Sequence, residues 1–343
     1  MRIVELYGGG TGGGAARHLT DLLPALGARG DDVHYVSLGR DDLAPEGAQR
    51  HTVTGLSALS RLLSRLRPDV LHTHGVRANF RGRLLGKMQC LPVVTTVHSF
   101  LAQDYRSPLR AGLALQLDGA TLQWSDRLIA ISESLRDDLV QRGALASSVR
   151  VVQSGITPPP PDVQTLREAV PQRPLLCVAA RLHPTKGVDV ALQALALLPA
   201  AHLAVLGEGP ERAVLEALAV RLGIAQRVHF LGYRKDFAAI VAGADLFLVP
   251  SRAEGFGLAA LEAMAQGVPV AASRVGGLPE LIGDGGIYAP PEDPAALAEA
   301  VLSALGERDA LAQRAKKRAG RFSLDAMANQ TRAVLREAME VKR

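Results

Sequence analysis

Two basic residues in the second half of the chain have the spacing of a phosphate site. Arg181 and Lys186 stand five positions apart, just after an apolar run that is typical of a buried strand. A guanidinium fork and an ammonium group suit a diphosphate, because both neutralise negative charge on phosphate oxygens. The pair therefore predicts a site for a diphosphate leaving group; a solvated basic loop is the alternative interpretation.

A carboxylate beside a glycine-containing turn forms a second group. Glu254 precedes four residues that open a predicted helix, and their backbone N–H groups suit a phosphate with a sugar alongside. Glu262 lies within that apolar helix, where a carboxylate is costly to desolvate unless strong donors meet it. A ribose diol would supply two donors, whereas an arginine partner or a polar edge is the alternative. The four turn residues are Gly255, Phe256, Gly257 and Leu258.

A glycine-rich loop follows the first predicted strand. The run from Gly8 to Gly14 ends in Gly13 and Gly14, just before a predicted helix. Glycine lets backbone N–H groups approach a phosphate or sugar without obstruction by a Cβ atom. The dinucleotide pattern G-x-G-x-x-G fits Gly8, Gly10 and Gly13, so NAD binding competes with this interpretation. The acidic residue expected at the end of the second strand is missing, which argues against NAD, and a tight turn without a ligand stays open.

Three histidines fall at the carboxyl ends of predicted strands of the first half. They are His72, His74 and His98. Ligands bind at the carboxyl edge of open α/β sheets, so this position favours a functional role, most of all for His98. A hydrogen-bonded structural imidazole is the alternative, and for His72 it is the preferred interpretation. No carboxylate or thiol joins these histidines at ligand spacing, so we expect no zinc site.

Alternating strand and helix patterns predict the elements that position these residues. Short β-branched runs alternate with Ala/Leu-rich segments, as in parallel sheets flanked by helices. A length of 343 residues and a hydrophobic share of 48 % suit two domains with a cleft between them. Four prolines at 158–161 predict a linker, because proline continues neither a helix nor a central strand. The predicted strands are 3–7, 32–38, 70–73, 93–97, 127–131 and 149–152, then 175–179, 203–206, 228–231, 246–250 and 268–272.

Two domains and a final helix follow from these patterns. We expect one domain at 1–160 and the other at 161–322. A helix from Ser323 to Lys342 has an acidic residue early and basic residues late, as a helix dipole prefers.

Composition limits the partners and the compartment. A net charge of +5 and a pI of about 9.5 suit an anionic substrate, a membrane surface or nucleic acid, but 4 % aromatic residues poorly support binding of single-stranded nucleic acid. Cys90 and Cys177 have no metal-site or disulfide spacing, which suits a reducing cytoplasm. We expect no signal peptide and no membrane span, so that any membrane contact is peripheral.

One segment carries a marked excess of positive charge. Residues 61–110 contain nine basic and two acidic residues, a local net charge of +7. This segment suits an anionic lipid surface or a phosphorylated acceptor, since either attracts cations. A merely soluble basic face is an equal alternative.

Seven short motifs stand in order along the chain: GGAARHL at 13–19, TVH at 96–98, IAISES at 129–134, R-x4-K-G at 181–187, GEGPER at 207–212, HFLG at 229–232 and E-x7-E at 254–262 with EGFGL. In this order they resemble the motifs of glycosyltransferase family 4. Its members adopt the GT-B fold, in which two Rossmann-like, doubly wound parallel-sheet domains face each other across a cleft. One departure stands at Ser154 to Thr157, where many relatives have Asn-Gly-Ile-Asp, so contacts there are not carried over.

The resemblance implies roles for residues of both domains. Domain 1–160, with 323–343 packed back across it, would bind the acceptor, and domain 161–322 would bind a UDP- or GDP-sugar. Arg181 and Lys186 would hold the donor diphosphate, and the loop at Gly232 and Tyr233 would lie by the base. His98 would contact the transferred sugar. The remaining donor contacts would come from Gly13, Gly14, Glu254, backbone at 255–258, and Glu262 to the ribose.

The resemblance also implies the reaction. It would be a retaining transfer of a hexosyl or N-acetylhexosaminyl group, with the acceptor hydroxyl attacking on the side from which the diphosphate leaves. No Asp-x-Asp triplet occurs, which agrees with transfer that needs neither metal nor cofactor. The run HTHGVRANFRGRL is similar to enzymes that build capsule, exopolysaccharide or lipopolysaccharide, so we expect a lipid-linked saccharide acceptor.

Three other classes of protein stay open. A UDP-sugar 2-epimerase shares the architecture but would release no nucleotide. An NAD oxidoreductase would change nicotinamide absorbance. A catalytically silent sugar- or nucleic-acid-binding protein would bind without turnover, although the presence of both Glu254 and Glu262 argues against it and we expect no nucleic-acid partner.

Overall fold

Parallel strands alternate with helices along the whole chain. The computed structural model describes residues 1–9, 13–39, 43, 45–104 and 107–342. The chain divides into two compact units, Met1–Gly155 with Ser323–Arg343, and Ile156–Phe322. The proline run at 158–161 therefore belongs to the second unit, and the chain passes between the units at Gly155.

The strands and helices have the following bounds. The strands are β1 (Arg2–Tyr7), β2 (Asp32–Leu38), β3 (Gln49–Val53), β4 (Val70–His74), β5 (Val93–Val97), β6 (Arg127–Ala130), β7 (Val149–Val151), β8 (Leu175–Ala179), β9 (His202–Leu206), β10 (Val228–Gly232), β11 (Leu246–Val249), β12 (Val270–Ser273) and β13 (Gly286–Ala289). The helices are α1 (Gly14–Gly27), α2 (Leu56–Leu66), α3 (Val76–Gln89), α4 (Pro108–Leu122), α5 (Glu133–Gln141), α6 (Val163–Ala169), α7 (Val188–Ala196), α8 (Arg212–Arg221), α9 (Phe237–Ile240), α10 (Leu258–Ala265), α11 (Leu278–Ile282), α12 (Pro294–Gly306), α13 (Arg308–Ala319) and α14 (Leu324–Val341).

Each unit contains one parallel sheet with a reversal of strand order. The first sheet runs β3-β2-β1-β4-β5-β6-β7, and the second runs β10-β9-β8-β11-β12-β13. The order reverses between β1 and β4 and again between β8 and β11, where successive chain crossovers go to opposite sides. Ligands of doubly wound sheets bind just beyond the carboxyl ends of the strands at such switch points. The expected two-domain, doubly wound α/β class is confirmed.

Burial explains which strands the sequence predicts well. The central strands are buried on both faces, so they form continuous apolar runs rather than alternating ones. The predictions at 32–38, 93–97 and 175–179 match β2, β5 and β8. The edge strands β3 and β13 have no counterpart among the predicted strands, because QRHTV and GIYA are short and only partly apolar.

The last helix completes the first unit. Met327 and Leu335 of α14 lie in one apolar cluster with Leu19 of α1. Asp31 is buried and accepts hydrogen bonds from Arg332 of α14, from Nε at 2.7 Å and from Nη2 at 3.0 Å. Helix α14 therefore returns to the first unit. Among the helices of the described residues, none combines the length and apolar character that a membrane crossing requires.

Candidate active site

The switch point of the second unit brings Lys186 and Glu254 together. Lys186 follows β8 and Glu254 follows β11, and their Nζ and Oε2 atoms lie 2.7 Å apart. Lys186 keeps 27 % and Glu254 16 % of the side-chain surface exposed, so the pair is screened from most solvent but still reachable. Two residues chosen from separate motifs thus form one ion pair at the edge where ligands bind.

Close approach of two backbones makes this geometry possible. Gly187 has a φ of +62°, and a Cβ atom there would lie 1.9 Å from the carbonyl oxygen of Pro250 at the end of β11. Glycine is therefore required at this position for both conformation and space. It lets the loop after β8 lie against the loop after β11 and carry Lys186 toward Glu254.

Arg252 holds the same two loops together, and the sequence interpretation missed it. Its guanidinium donates to both carboxylate oxygens of Asp189 at 2.9 and 2.7 Å, and to the carbonyl oxygen of Pro184 at 2.6 Å. Its backbone N–H donates to the carbonyl oxygen of Thr185. Burial raises the pKa of Asp189, but the hydrogen bonds and charge of Arg252 outweigh burial and lower it. This fork–fork pairing fixes the loop that carries Lys186.

The turn after Glu254 presents backbone rather than side chains. Gly257 has a φ of +103° and caps α10, and a Cβ atom there would lie 2.7 Å from Leu278. The Phe256 side chain is buried and packs edge-on against Phe322, with ring centroids 5.5 Å apart. The Phe256 side chain therefore belongs to the core, and only the backbone amide of this residue is available to a ligand. Glu262 lies within α10 with 9 % of its surface exposed.

The other predicted donor contacts lie at the carboxyl ends of neighbouring strands. Arg181 is exposed two residues after β8. The carbonyl oxygen of Gly232 accepts a 2.7 Å hydrogen bond from the N–H of Gly207, which joins the ends of β10 and β9. Tyr233 follows with 65 % of its surface exposed. Because all strands of the sheet are parallel, these residues share one edge with Lys186 and Glu254.

The switch point of the first unit holds a buried carboxylate that the sequence interpretation missed. Glu5 of β1 lies between two histidines of β4: Oε1 is 3.1 Å from His72 Nδ1, and Oε2 is 2.8 Å from His74 Nε2. All three side chains are fully buried, and His72 Nε2 lies 2.7 Å from the hydroxyl of Thr96. Glu5 is the one acidic residue of the strand RIVELY, which was the signal available in the sequence.

The premise of the zinc prediction is therefore wrong. The expectation that no carboxylate joins these histidines fails because β1 and β4 are adjacent in the sheet, although Glu5 and His72 are 67 residues apart in the chain. Glu5, His72 and His74 can each supply one ligand atom, all within 4.8 Å of one another. Hydrogen bonds among these residues also satisfy the same atoms without an ion, and the two arrangements place the protons differently.

His98 stands at the exposed end of this network. His98 Nε2 lies 3.0 Å from His74 Nδ1, and its ring packs edge-on against His18 of α1 at 4.9 Å. His18 Nδ1 is within 3.2 Å of the hydroxyl of Ser154, which stands at the position where the chain departs from Asn. His74 and His98 are therefore in direct contact, whereas His72 is connected to His98 through Glu5 and His74. His98 remains partly exposed.

Burial and mutual repulsion lower the pKa of three of these imidazoles, those of His18, His74 and His98. Burial first, and then the charge of neighbouring histidines, lowers the pKa of His18 to about 3 and that of His74 to about 4. The same causes lower the pKa of His98 well below its usual value. Burial would raise the pKa of Glu5, but the charge of His72 and hydrogen bonds from both histidines lower it to about 2.

The glycine loop meets the same edge. The N–H of Gly8 donates to the carbonyl oxygen of His74 at 3.0 Å, and its own carbonyl oxygen accepts from Arg77 Nε. Gly13 has a φ of +103° with open space around it and caps α1, and Gly14 begins that helix. Gly10, which the dinucleotide pattern requires, lies outside the described residues.

Fold and site together define a class. Two doubly wound parallel-sheet units, each with polar residues at its switch point, have the architecture of GT-B proteins. Crystal structures of two such proteins match this chain: Anabaena Alr3699/HepE in complex with UDP-glucose (TM-score 0.87, 24 % identity, 98 % of this chain and 99 % of that one), and WaaG, a glycosyltransferase involved in lipopolysaccharide biosynthesis (TM-score 0.79, 22 % identity, 97 % and 99 %).

Sequence comparison then identifies the family. The model for Glycosyltransferase Family 4 matches residues 12–158, and that for Glycosyl transferases group 1 matches residues 165–321. The D-inositol 3-phosphate glycosyltransferase of Xylanimonas cellulosilytica is 36 % identical over 289 residues, covering 75 % of this chain and 69 % of the relative. The chain belongs to the glycosyltransferases of this family, and it is an enzyme of that class.

Replacing Gly187 by alanine should destabilise the second unit. Gly223 is a matched control, because it has a φ of +68° with nothing near its Cβ position. The left-handed conformation costs an alanine about 1–2 kcal/mol at either position. Overlap with Pro250 should add about 1–3 kcal/mol at Gly187 alone. Urea unfolding of both variants measures the difference, and equal losses would contradict the steric account.

The stability of the first unit should fall as the pH drops from about 6.5 to about 4. Histidine ionises near 6.5 when unfolded, so in this window the unfolded chain binds more protons than the folded one. Each such histidine contributes a slope of about 1.4 kcal/mol per pH unit. Thermal unfolding across this range should show a smaller slope for His18→Asn, which keeps a partner for Ser154. An unchanged slope in that variant would contradict the assignment for His18.

Proposed function

We propose that the protein is a retaining glycosyltransferase that moves a hexosyl or N-acetylhexosaminyl group from a UDP- or GDP-sugar to a hydroxyl acceptor. The second unit binds the donor, and the first unit binds the acceptor. The observation that carries the proposal is the Lys186–Glu254 ion pair at the switch point of the second sheet, beside an amide-rich helix start. Such a place suits a diphosphate with a sugar next to it.

The donor contacts follow from the chemistry of each group. Lys186 and Arg181 neutralise the diphosphate, and the amides at 255–258 bind its oxygens or the sugar hydroxyls. Glu262, nine-tenths buried on α10, accepts hydrogen bonds from the ribose diol. The exposed ring of Tyr233 is available to a base. HepE, the structural neighbour at 24 % identity, is a complex with UDP-glucose, which supports a uridine donor.

The transfer step needs no group beyond these. The acceptor oxygen forms a bond to the anomeric carbon on the face from which the diphosphate departs, the bond to the diphosphate oxygen breaks, and the acceptor proton passes to a diphosphate oxygen. Lys186 and Arg181 stabilise the negative charge that develops on the leaving group. His98 contacts the transferred sugar, and Glu254 orients Lys186 and meets a sugar hydroxyl.

We further propose a lipid-linked saccharide acceptor, used in cell-surface polysaccharide synthesis at the inner face of the cell membrane. Helix α4 supports this proposal, because Leu109, Leu113 and Leu117 form an apolar stripe at helical spacing, exposed by 86, 59 and 48 %. Phe80 and Met88 of α3, which packs on α4, are exposed as well. Exposed apolar residues rimmed by arginine and lysine suit an anionic bilayer surface. WaaG acts in lipopolysaccharide biosynthesis, which agrees with such an acceptor.

The basic surface is smaller than the sequence count suggests. Arg83, one of the nine basic residues of 61–110, is fully buried and paired with Asp118 at 2.6 Å. Arg106 lies outside the described residues. Arg81, Lys87 and the neighbouring Arg110 are not fully buried, and they supply the cations beside the apolar stripe.

Lys186→Ala and Glu254→Gln should each lower transfer at least about 100-fold, because charge stabilisation of the leaving group is lost. Lys317→Ala and Glu299→Gln are matched controls on exposed helix faces of the same unit. Nucleotide release from a panel of UDP- and GDP-sugars, with thermal unfolding to verify the fold, gives the measurement. Full activity in either site variant would contradict the assignment, and turnover without nucleotide release would indicate an epimerase.

Leu109→Asp with Leu113→Asp should abolish binding to anionic phosphatidylglycerol vesicles. Burying each leucine contributes about 1.5–3 kcal/mol, so loss of both should weaken binding at least about 100-fold. Leu302→Asp, which changes an equally exposed leucine of α12 in the second unit, should bind as the unaltered protein does. Sedimentation with vesicles gives the comparison. Undiminished binding by the double variant would refute the membrane surface.

A further inference from the structure

A chain of three side chains leads from the buried interior of the first unit to His98. Glu5 Oε2 lies 2.8 Å from His74 Nε2, and His74 Nδ1 lies 3.0 Å from His98 Nε2. The three residues come from β1, from β4 and from the end of β5, so the register of the sheet sets their order. Each link uses a different nitrogen of the His74 ring.

The position of each proton in the Glu5–His74–His98 network follows from the carboxylate of Glu5 at its buried end. Glu5 Oε1 and Oε2 lie within hydrogen-bond distance of His72 Nδ1 and His74 Nε2, and a carboxylate can only accept. His74 must therefore carry its proton on Nε2. A neutral imidazole has one N–H, so His74 Nδ1 is an acceptor, and the proton between the two rings belongs to His98 Nε2. His98 is then left with an unprotonated Nδ1.

We propose that Glu5 is a positioning residue that acts through His74 to hold His98 as the Nε2–H tautomer. His98 Nδ1 thereby becomes a hydrogen-bond acceptor for a hydroxyl of the transferred sugar. The sugar contact rests on the proposed function, whereas the tautomer does not. His72 also contacts the Glu5 carboxylate, through its Nδ1 atom, and its Nε2 atom is hydrogen-bonded to the hydroxyl of Thr96.

A metal ion at the same three residues would give the opposite tautomer. The atoms Glu5 Oε2, His72 Nδ1 and His74 Nε2 lie 2.8 to 3.3 Å apart, a spacing that ligands of one ion also have. A metal on Nε2 would leave the His74 proton on Nδ1, which would donate to His98 Nε2. His98 would then be protonated at Nδ1. The tautomer of His98 therefore separates the hydrogen-bonded chain from a metal site.

The direct test is nitrogen NMR of the unaltered, unliganded protein. Long-range 1H–15N spectra of 15N-histidine-labelled protein, with His98→Asn for assignment, should show both His74 and His98 neutral and protonated at Nε2 near pH 7. A His98 ring protonated at Nδ1 would overturn the proposal. So would about one equivalent of transition metal in the purified protein.

Two variants test whether Glu5 sets the tautomer. Glu5→Leu removes the buried acceptor, and His74→Phe removes the link, so the second serves if the first does not fold. In either, His98 should show a mixture of tautomers. His51→Phe breaks a comparable pair, with His34 Nδ1 and His51 Nε2 3.1 Å apart, and should leave His98 unchanged. A single, unaltered tautomer in both site variants would overturn the role of Glu5.

Kinetics separate this proposal from the proposed function. Loss of a partner that orients an active-site histidine typically costs about 10–100-fold, so kcat/KM should fall by that factor in Glu5→Leu and His74→Phe, and not in His51→Phe. If the tautomer changes while transfer by both variants stays full, the sugar contact of His98 is refuted. Loss of transfer with an unaltered tautomer would refute the relay and leave the glycosyltransferase assignment intact.

Discussion

The contact between the loops after β8 and β11 is the constraint on which the second unit depends. These loops leave adjacent strands at the point where strand order reverses, which is where a doubly wound sheet has its ligand-binding crevice. Gly187 lets the backbones touch, and Arg252 ties one loop to Asp189 and Pro184 of the other. Lys186 and Glu254 are thereby held in a fixed pair before any ligand arrives. In the proposed reaction, this preorganised cation is what the leaving diphosphate meets.

The first unit uses its switch point differently. There the polar residues lie inside the sheet, on β1 and β4, and a network of hydrogen bonds satisfies each of them. An ionised carboxylate without water is costly unless strong donors surround it, and two imidazole N–H groups fill that role for Glu5. The buried carboxylate is linked through His74 to His98, and the His98 side chain is partly exposed. In the proposed relay, these buried polar groups orient His98.

Features with a local sequence pattern could be predicted from the sequence, whereas residues whose role depends on pairing with distant parts of the chain could not. The β-branched central strands and the last helix α14 could be predicted because each has a local signature, whereas the proline run at 158–161, predicted as the linker, belongs to the second unit. Arg252 and Glu5 could not, since their roles depend on partners 63 and 67 residues or more away. Arg83 was counted with the surface cations for the same reason, although Asp118 pairs with it inside the fold. Motif spacing named Lys186 and Glu254, and topology explains why they meet.

The most direct measurement is a crystal structure of the protein with uridine diphosphate. The account predicts that diphosphate oxygens lie within hydrogen-bond distance of Lys186 Nζ and of the amides at 255–258, with the ribose hydroxyls on Glu262. A diphosphate bound elsewhere, with the Lys186–Glu254 pair unchanged and its pocket closed, would contradict it.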